Sequence, residues 1–378
     1  MNELDVDRQL QKPSPATAKP TLWKMALKGF FDGGPGTCQF AITSACNARC
    51  GFCNFAVDKM PLDQRHSATL EEANQAAEIL YRNGVEFLIY LGGEPLMHPD
   101  LDAMIAHASQ IGISSMIVTN GALLTPDRVA KLAQAGLDNA IISIDAADIQ
   151  RHEQNRGLKG VCDRVRVAND HLKQAGIGTT ASVTMSRLID DYAALPAFLE
   201  SLGFESVIFS YPTTTLSSSY LAFADSDLID YTPDELYDRF EAIKSVKRNF
   251  HVVNPTASIE DMQRHLRKEP EKFPCLAGWK YFYLDWHLNL YRCSNWHEPM
   301  CHISEFDGSQ RMRDRCTACM VTCNRDSSVM QQVGIAVSDG VQAAAKGHIR
   351  QAMRHIFDRT NLISLQAVIE DMDWIRRL

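Results

Sequence analysis

Nowhere in these 378 residues does an uninterrupted apolar run approach the ~18 that cross a bilayer, which excludes a spanning helix. The opening stretch, "MNELDVDRQLQKPSPATAKPT", has no apolar segment of the kind a secretory signal needs. Polar and proline-rich, residues 1–37 read as a mobile arm. A basic excess is also missing. Net charge is -8, and lysine and arginine do not gather into one stripe, which argues against a nucleic-acid partner. A chain this long has no need of disulfide staples, and nothing routes it to an oxidising compartment. The expectation is a reduced, cytoplasmic protein.

Cysteine is what the chain does have. Nine of its eleven cysteines fall in two groups, at 46–53 and 275–323. In a reducing compartment, clustered thiols point to metal binding or catalysis. Between them runs a regular rhythm. "CQFAIT" (38–43), "EFLIYL" (86–91), "SSMIVT" (114–119), "NAIISI" (139–144), "TTASVTM" (179–185) and "ESVIFS" (205–210) are short, apolar and β-branched, as buried strands are. Helical patterns separate them. Thr69 with Glu72 forms a capping-box signature and Gly84 a stop, while Pro126 and Gly136 bracket a second helix. In a third, at 191–203, Pro196 predicts a kink. Strand–helix repeated six times predicts a parallel α/β sheet with helices outside, curled like a barrel or open and doubly wound. Either way, functional residues belong at the C-terminal strand ends.

At the end of the first run stands "AITSACNARCGFCNF", with Cys46, Cys50 and Cys53 spaced C-x3-C-x2-C. Structural zinc wants four ligands. Iron–sulfur clusters are also commonly held by four thiolates, so a cube held by three keeps one iron open. The spacing, with aromatic Phe52 before the last cysteine, resembles the radical S-adenosylmethionine (radical SAM) superfamily. So does "GGEP", Gly92, Gly93, Glu94 and Pro95, at the end of the second run.

The resemblance covers about residues 38–212 and implies a partial (β/α)6 TIM-like barrel. Its implied cofactors are a [4Fe-4S] cluster on Cys46, Cys50 and Cys53, and S-adenosylmethionine chelated by the open iron. Reductive cleavage would give a 5′-deoxyadenosyl radical that takes a hydrogen from substrate. Gly92, Gly93, Glu94 and Pro95 would meet the methionine amino group, and Phe52 the adenine. Ser143, Thr184 and Arg187, at later strand ends, would hold ribose and carboxylate. Cys38 and Cys162 read as small apolar fillers.

The second group, Cys275, Cys293, Cys301, Cys316, Cys319 and Cys323, would also suit a structural zinc site. It resembles instead the auxiliary-cluster extension of radical SAM enzymes, called SPASM with two clusters and twitch with one. Position 288 is Leu where that extension carries Gly, and the cysteines are too few for two clusters. One auxiliary [4Fe-4S] cluster on Cys275, Cys293, Cys316 and Cys319 follows, with Cys323 the first replacement. It would relay an electron. Asp285 and His287 are candidates to deprotonate a substrate radical, and the aromatics of 278–299 read as packing. The expected organisation is an arm (1–37), a partial barrel with helical extension (38–270), a small Cys-rich auxiliary-cluster domain (271–325) and C-terminal helices (326–378). Partners would be an electron donor such as flavodoxin or ferredoxin and a small-molecule or peptide substrate. The alternatives are a maturase of a ribosomally made peptide or protein, for which 37 residues ahead of Cys38 are too few to form a leader-recognition domain, or a non-catalytic Fe–S or zinc redox sensor.

Overall fold

The structure is a computed structural model that describes residues 33–212 and 226–371. Most of the expected arm, the segment after the sixth run and the end of the expected C-terminal helices lie outside the described residues. The six apolar runs are six parallel strands: β1 (Gly36–Thr43), β2 (Val85–Gly92), β3 (Ser114–Thr119), β4 (Asn139–Ile144), β5 (Gly178–Thr184) and β6 (Ser206–Ser210). The helices between them are α1 (Leu70–Arg82), α2 (Leu101–Ile111), α3 (Pro126–Ala135), α4 (Ile149–Arg156), α5 (Val161–Gln174) and α6 (Leu195–Ser201).

The local signals act as their chemistry dictates. Thr69 and Glu72 close a reciprocal capping box at α1, and Gly136 ends α3 in the left-handed region. Pro196 does not kink a helix. It sits in the first turn of α6, where its missing N–H costs nothing, after a separate 3-10 turn at Tyr192–Ala194. Alternate strand residues such as Phe40, Leu88, Ile117, Ile142 and Val183 pack under the helices in one continuous core.

After β6 come α7 (Pro233–Val246), the two-residue strand β7 (His251–Val252) and α8 (Thr256–Leu266). The strands β8 (Tyr281–Leu284), β9 (Asn289–Tyr291) and β10 (Cys301–His302) follow. The full sheet runs β10-β9-β8-β1-β2-β3-β4-β5-β6-β7 and is open, with β7 and β10 as its edges. β8 lies parallel to β1, from Thr37 opposite Tyr281 to Phe40 opposite Leu284. The sheet therefore continues through the boundary expected at 270–271, and the Cys-rich segment begins as part of it.

The β8–β9 turn accounts for position 288. Leu288 has φ 63°, the left-handed conformation for which glycine is the usual choice. That backbone costs about 1–2 kcal/mol for a residue with a Cβ. Leu288 is buried in the main core, which returns roughly 1.5–3 kcal/mol. The turn thus keeps its shape without glycine.

Helix α9 (Thr322–Ala345) starts within the segment expected as the auxiliary-cluster domain (271–325), and Gly347 (φ 79°) ends it. α10 (Ile349–Ile356) and α11 (Arg359–Glu370) follow. Asp326 of α9 is buried and accepts hydrogen bonds from the Ser258 hydroxyl and from Asn254 Nδ2 at 2.7 Å. Asn254 also bonds both backbone groups of Phe209 on β6. Burial pushes the Asp326 carboxyl up to about 7, with Asp371 adding to the rise while Ser258, Asn254 and Lys247 oppose it.

Unfolded aspartates titrate near 4, so the fold holds this proton more tightly than the unfolded chain does. The resulting stability is complete below about pH 4 and is lost as pH rises toward about 7. Asp326→Asn should therefore flatten the fall in melting temperature between about pH 4 and 7; a profile that keeps the wild-type slope would refute this. Among the described residues no helix is long and apolar enough to cross a membrane.

Candidate functional site

The site grows from the turn that follows β1. Thr43 and Gly92 end neighbouring parallel strands, and their loops meet at backbone distance. Gly93 N–H donates to the Thr43 carbonyl and Glu94 N–H to the Ala45 carbonyl, both at 2.8 Å. A Cβ at Gly92 would lie 2.0 Å from the Thr43 oxygen, and one at Gly93 2.2 Å from the Ala45 oxygen. Two glycines are thus a steric requirement, and Gly92 also sits at φ 144°.

Glu94 is fully buried. Its carboxylate accepts from Thr119 Oγ1 (2.7 Å), Asn120 N (2.8 Å) and Leu96 N (3.1 Å). Burial still holds its pKa above the usual carboxylate range, although those bonds and Arg156 pull it down. A carboxylate so placed favours a cation arriving beside it. Pro95 opens the short 3-10 turn that follows.

Cys46 and Cys50 are buried and Cys53 half-buried in the loop after β1. The loop has its own small apolar cluster, in which Phe52, Phe55, Met60 and Ile229 pack with Cys46 and Cys50. Trp286, from the β8–β9 turn, meets Phe55 edge-on at 5.6 Å. Trp286, one of the aromatics of 278–299 read as packing, therefore reaches the first cysteine loop. The Ala48 N–H points at Cys46 Sγ (3.4 Å). Burial pushes the Cys46 thiol up to about 11 and Cys50 to about 12, and raises Cys53 as well.

One buried cation opposes that trend at all three thiols: Arg156, at the end of α4. Arg156 donates to Asp145 Oδ1 at 2.6 Å, and Asn155 Nδ2 to Asp145 Oδ2 at 2.8 Å. Burial alone would lift Asp145, but Arg156 and His152 more than offset it and hold the carboxyl below its usual range. The same helix end grips the cysteine loop. The Arg156 carbonyl accepts from Arg49 N (2.8 Å) and Asn155 Oδ1 from Gly51 N (3.1 Å). From β3, Asn120 Nδ2 donates to Asn47 Oδ1 (2.8 Å). Arg156, Asn155 and Asn47 escaped the sequence reading. An Arg near a helix C-terminus ordinarily reads as a solvated charge, and the only hint was the strand-end acid Asp145.

Ser143 and Thr184 are half-buried at the ends of β4 and β5, opposite Ser182 and Ser210. Arg187 stands apart. Its guanidinium makes a two-pronged pair with Glu235 (2.9 and 3.0 Å), donates to the Asp230 carbonyl and lies over Tyr231. Asp285 is bound up in its own turn, accepting from His287 N, Asn289 N and Nδ2, and Tyr291 hydroxyl. The His287 ring lies tilted at 4.8 Å from His66 of the first cysteine loop's exit.

In the second group, Cys275 feels the charge of Cys316, Cys293 that of Cys319, Cys275 and Cys323, and Cys319 that of Cys275 and Cys316. Cys323 lies in the first turn of α9 with the Gln39 side chain of β1 against it, and burial pushes its thiol up to about 12. Cys301 is on edge strand β10, beside Glu305 and Asp307. Two buried cations flank the group, Arg325 paired with Asp261 and Arg292 paired with Asp314. Among the described residues, no three His, Cys, Asp or Glu side chains are gathered tightly enough to hold a single metal ion.

Residues 40–194 match the family model of the radical SAM superfamily. An AdoMet-dependent heme synthase of Methanosarcina barkeri is 30% identical over 154 residues, 40% of this chain and 43% of that protein. A GTP 3',8-cyclase of Staphylococcus aureus is 30% identical over 165 residues, 42% of this chain and 48% of that protein. The chain thus spans less than half the length of either curated relative. Among solved structures, Streptococcus suis SuiB bound to S-adenosylmethionine superposes with TM-score 0.55 at 17% identity, covering 73% of this chain and 64% of that one. The anSMEcpe structure with bound AdoMet gives 0.52 at 12% identity, covering 90% and 97%. At these identities the likeness is one of fold.

Proposed function

We propose, from the match of residues 40–194 to the radical SAM family model, that Cys46, Cys50 and Cys53 hold a [4Fe-4S] cluster beside a binding place for S-adenosylmethionine. When bound, the pair supplies a 5′-deoxyadenosyl radical able to take a hydrogen atom from a substrate. The observation that carries the reading is the meeting of two buried thiols and a half-buried one with a buried carboxylate, Glu94, across two strand ends.

The chain's own residues do the rest. Gly92 and Gly93 let the two loops touch, and Glu94 accepts the ammonium of the methionine moiety. Pro95 fixes the turn behind it. Phe52 and the apolar cluster around it keep water from the thiols. Arg156 offsets the negative charge of the thiolates. Ser143 and Thr184 offer hydroxyls to a ribose. Arg187 enters that set only if its pair with Glu235 opens. A second site draws on Cys275, Cys293, Cys316 and Cys319, with Cys323 within electrostatic reach, and takes an auxiliary cluster that relays an electron.

The six parallel strands contain a single charged residue, Glu86. Their inner face is built of groups such as Ala41, Leu91, Val118, Ser143 and Ser182. The strands therefore supply no cation for a polyphosphate, a surface that suits an uncharged part of the substrate. Both a small molecule and a peptide satisfy that condition.

The test is anaerobic reconstitution followed by dithionite and S-adenosylmethionine. The wild type should release 5′-deoxyadenosine. Replacing Cys46, Cys50 and Cys53 by Ala should abolish that release and lower bound iron from about eight to about four per chain. Full iron with no 5′-deoxyadenosine from the wild type would overturn the reading, and zinc in the site left by the triple variant would remove the electron relay.

A further inference from the structure

Helices α10 and α11 leave an apolar surface uncovered. On α10 and just past its end, Ile349, Met353 and Phe357 follow one another at i, i+4 and i+8, and are 60%, 51% and 71% exposed. On α11, Leu362, Leu365 and Ile369 fall at i, i+3 and i+7, and are 71%, 46% and 59% exposed. These stripes are not the faces that attach the helices. α10 rests on α9 through buried Ala352, with Ile356 against Gly340. α11 is held through buried Asn361, Ser364 and Ala367, the Ser364 hydroxyl donating to the Val329 carbonyl (2.6 Å) and accepting from Val333 N–H (3.0 Å).

The charge around the α10 stripe runs against that of the whole chain. Lys346, Arg350, Arg354 and Arg359 are all exposed, with only Asp358 opposing them between residues 346 and 359. Asp358 is itself engaged in capping α11 through Thr360. A locally basic patch on a chain of net charge -8 selects an anionic counterpart.

We propose that α10 and α11 dock this protein onto an anionic bilayer surface. The apolar stripes lodge at the headgroup–acyl boundary and the arginines meet lipid phosphates. A second copy is the poorer occupant, because like faces would bring Arg350, Arg354 and Arg359 against their own counterparts. Surface docking needs no spanning helix, and it stands independently of the chemistry proposed for the cysteines.

Flotation of the full-length protein with two kinds of vesicle tests this: phosphatidylcholine alone, and phosphatidylcholine with about 30% phosphatidylglycerol. Binding to the anionic vesicles should be at least about tenfold tighter than to the neutral ones and should weaken with salt. The pairs Phe357→Asp/Leu362→Asp and Arg350→Glu/Arg354→Glu alter exposed side chains only. Each should lower anionic binding about tenfold or more while leaving the melting temperature in place. Equal binding to both vesicle types, or undiminished binding by both variants, overturns the proposal. So does a wild-type dimer on size-exclusion light scattering that the same substitutions dissolve.

Discussion

Gly93→Ala should yield a protein that neither retains iron after reconstitution nor binds S-adenosylmethionine. The added Cβ would stand 2.2 Å from the Ala45 carbonyl oxygen, 2.5 Å from its carbon and 2.8 Å from the Ser44 oxygen. All three are backbone atoms, so no side chain can rotate away to make room. Relief requires moving the chain that leads straight into Cys46, or breaking the Glu94 N–H bond to Ala45. Overpacking commonly costs roughly 1–3 kcal/mol, and a clash between two backbones belongs at or above that upper end. Gly176→Ala is the control. That glycine has a positive φ, 76°, and nothing within 4 Å. It should cost only about 1 kcal/mol of backbone strain and leave iron content alone. Wild-type iron and melting temperature in Gly93→Ala would show that the close approach of the two loops is not required.

Arg156→Met should be the most damaging single change away from the cysteines and glycines. Arg156 and Asp145 are both buried and joined at 2.6 Å. Removing the cation leaves a buried carboxylate with only Asn155 and a neutral His152, whose own pKa burial depresses to about 4. Breaking one side of such a pair costs about 3–5 kcal/mol. Asp145→Asn/Arg156→Met removes both charges and should regain a large part of that loss, because the buried charge goes with it. The loss extends beyond stability. Arg156 lowers the thiol pKa at Cys46, Cys50 and Cys53, so the double variant should refold yet release iron faster than wild type. Denaturant melts and iron-release kinetics on the four corners of the cycle separate the two effects. A single variant as stable as wild type would show the pair to be dispensable.

Six strands could be read directly because parallel, doubly covered strands are continuous apolar runs. All six lie where those runs stand, to within two residues at their ends. The C-x3-C-x2-C and GGEP stretches could be read because each packs its chemistry into a few consecutive residues. What escaped is what the fold assembles from afar. Arg156 matters through Asp145, eleven residues away on another element. The pairing of β8 with β1 leaves no local trace, since four apolar residues, "YFYL", suit a hairpin as well as a sheet centre. The start of α9 was hidden because "TCNRDSS" has the polarity of a loop, although Arg325, Asp326 and Ser328 are polar in order to pair inside. Leu288 looked like a departure from a glycine turn, yet the backbone there keeps the glycine conformation.

The pairing of Thr37–Phe40 with Tyr281–Leu284 bears on how the chain is made. During synthesis β1 emerges among the first described residues and acquires β2 early, but its other side stays open until β8 leaves the ribosome. Throughout that interval "GTCQFAIT" is an apolar, uncharged strand with a row of unpaired N–H and C=O groups, the kind of edge on which nascent chains stick to one another. A ribosome-stalled chain whose β8 is still inside the exit tunnel should therefore be the aggregation-prone species, and one extended until Leu284 has emerged should be soluble.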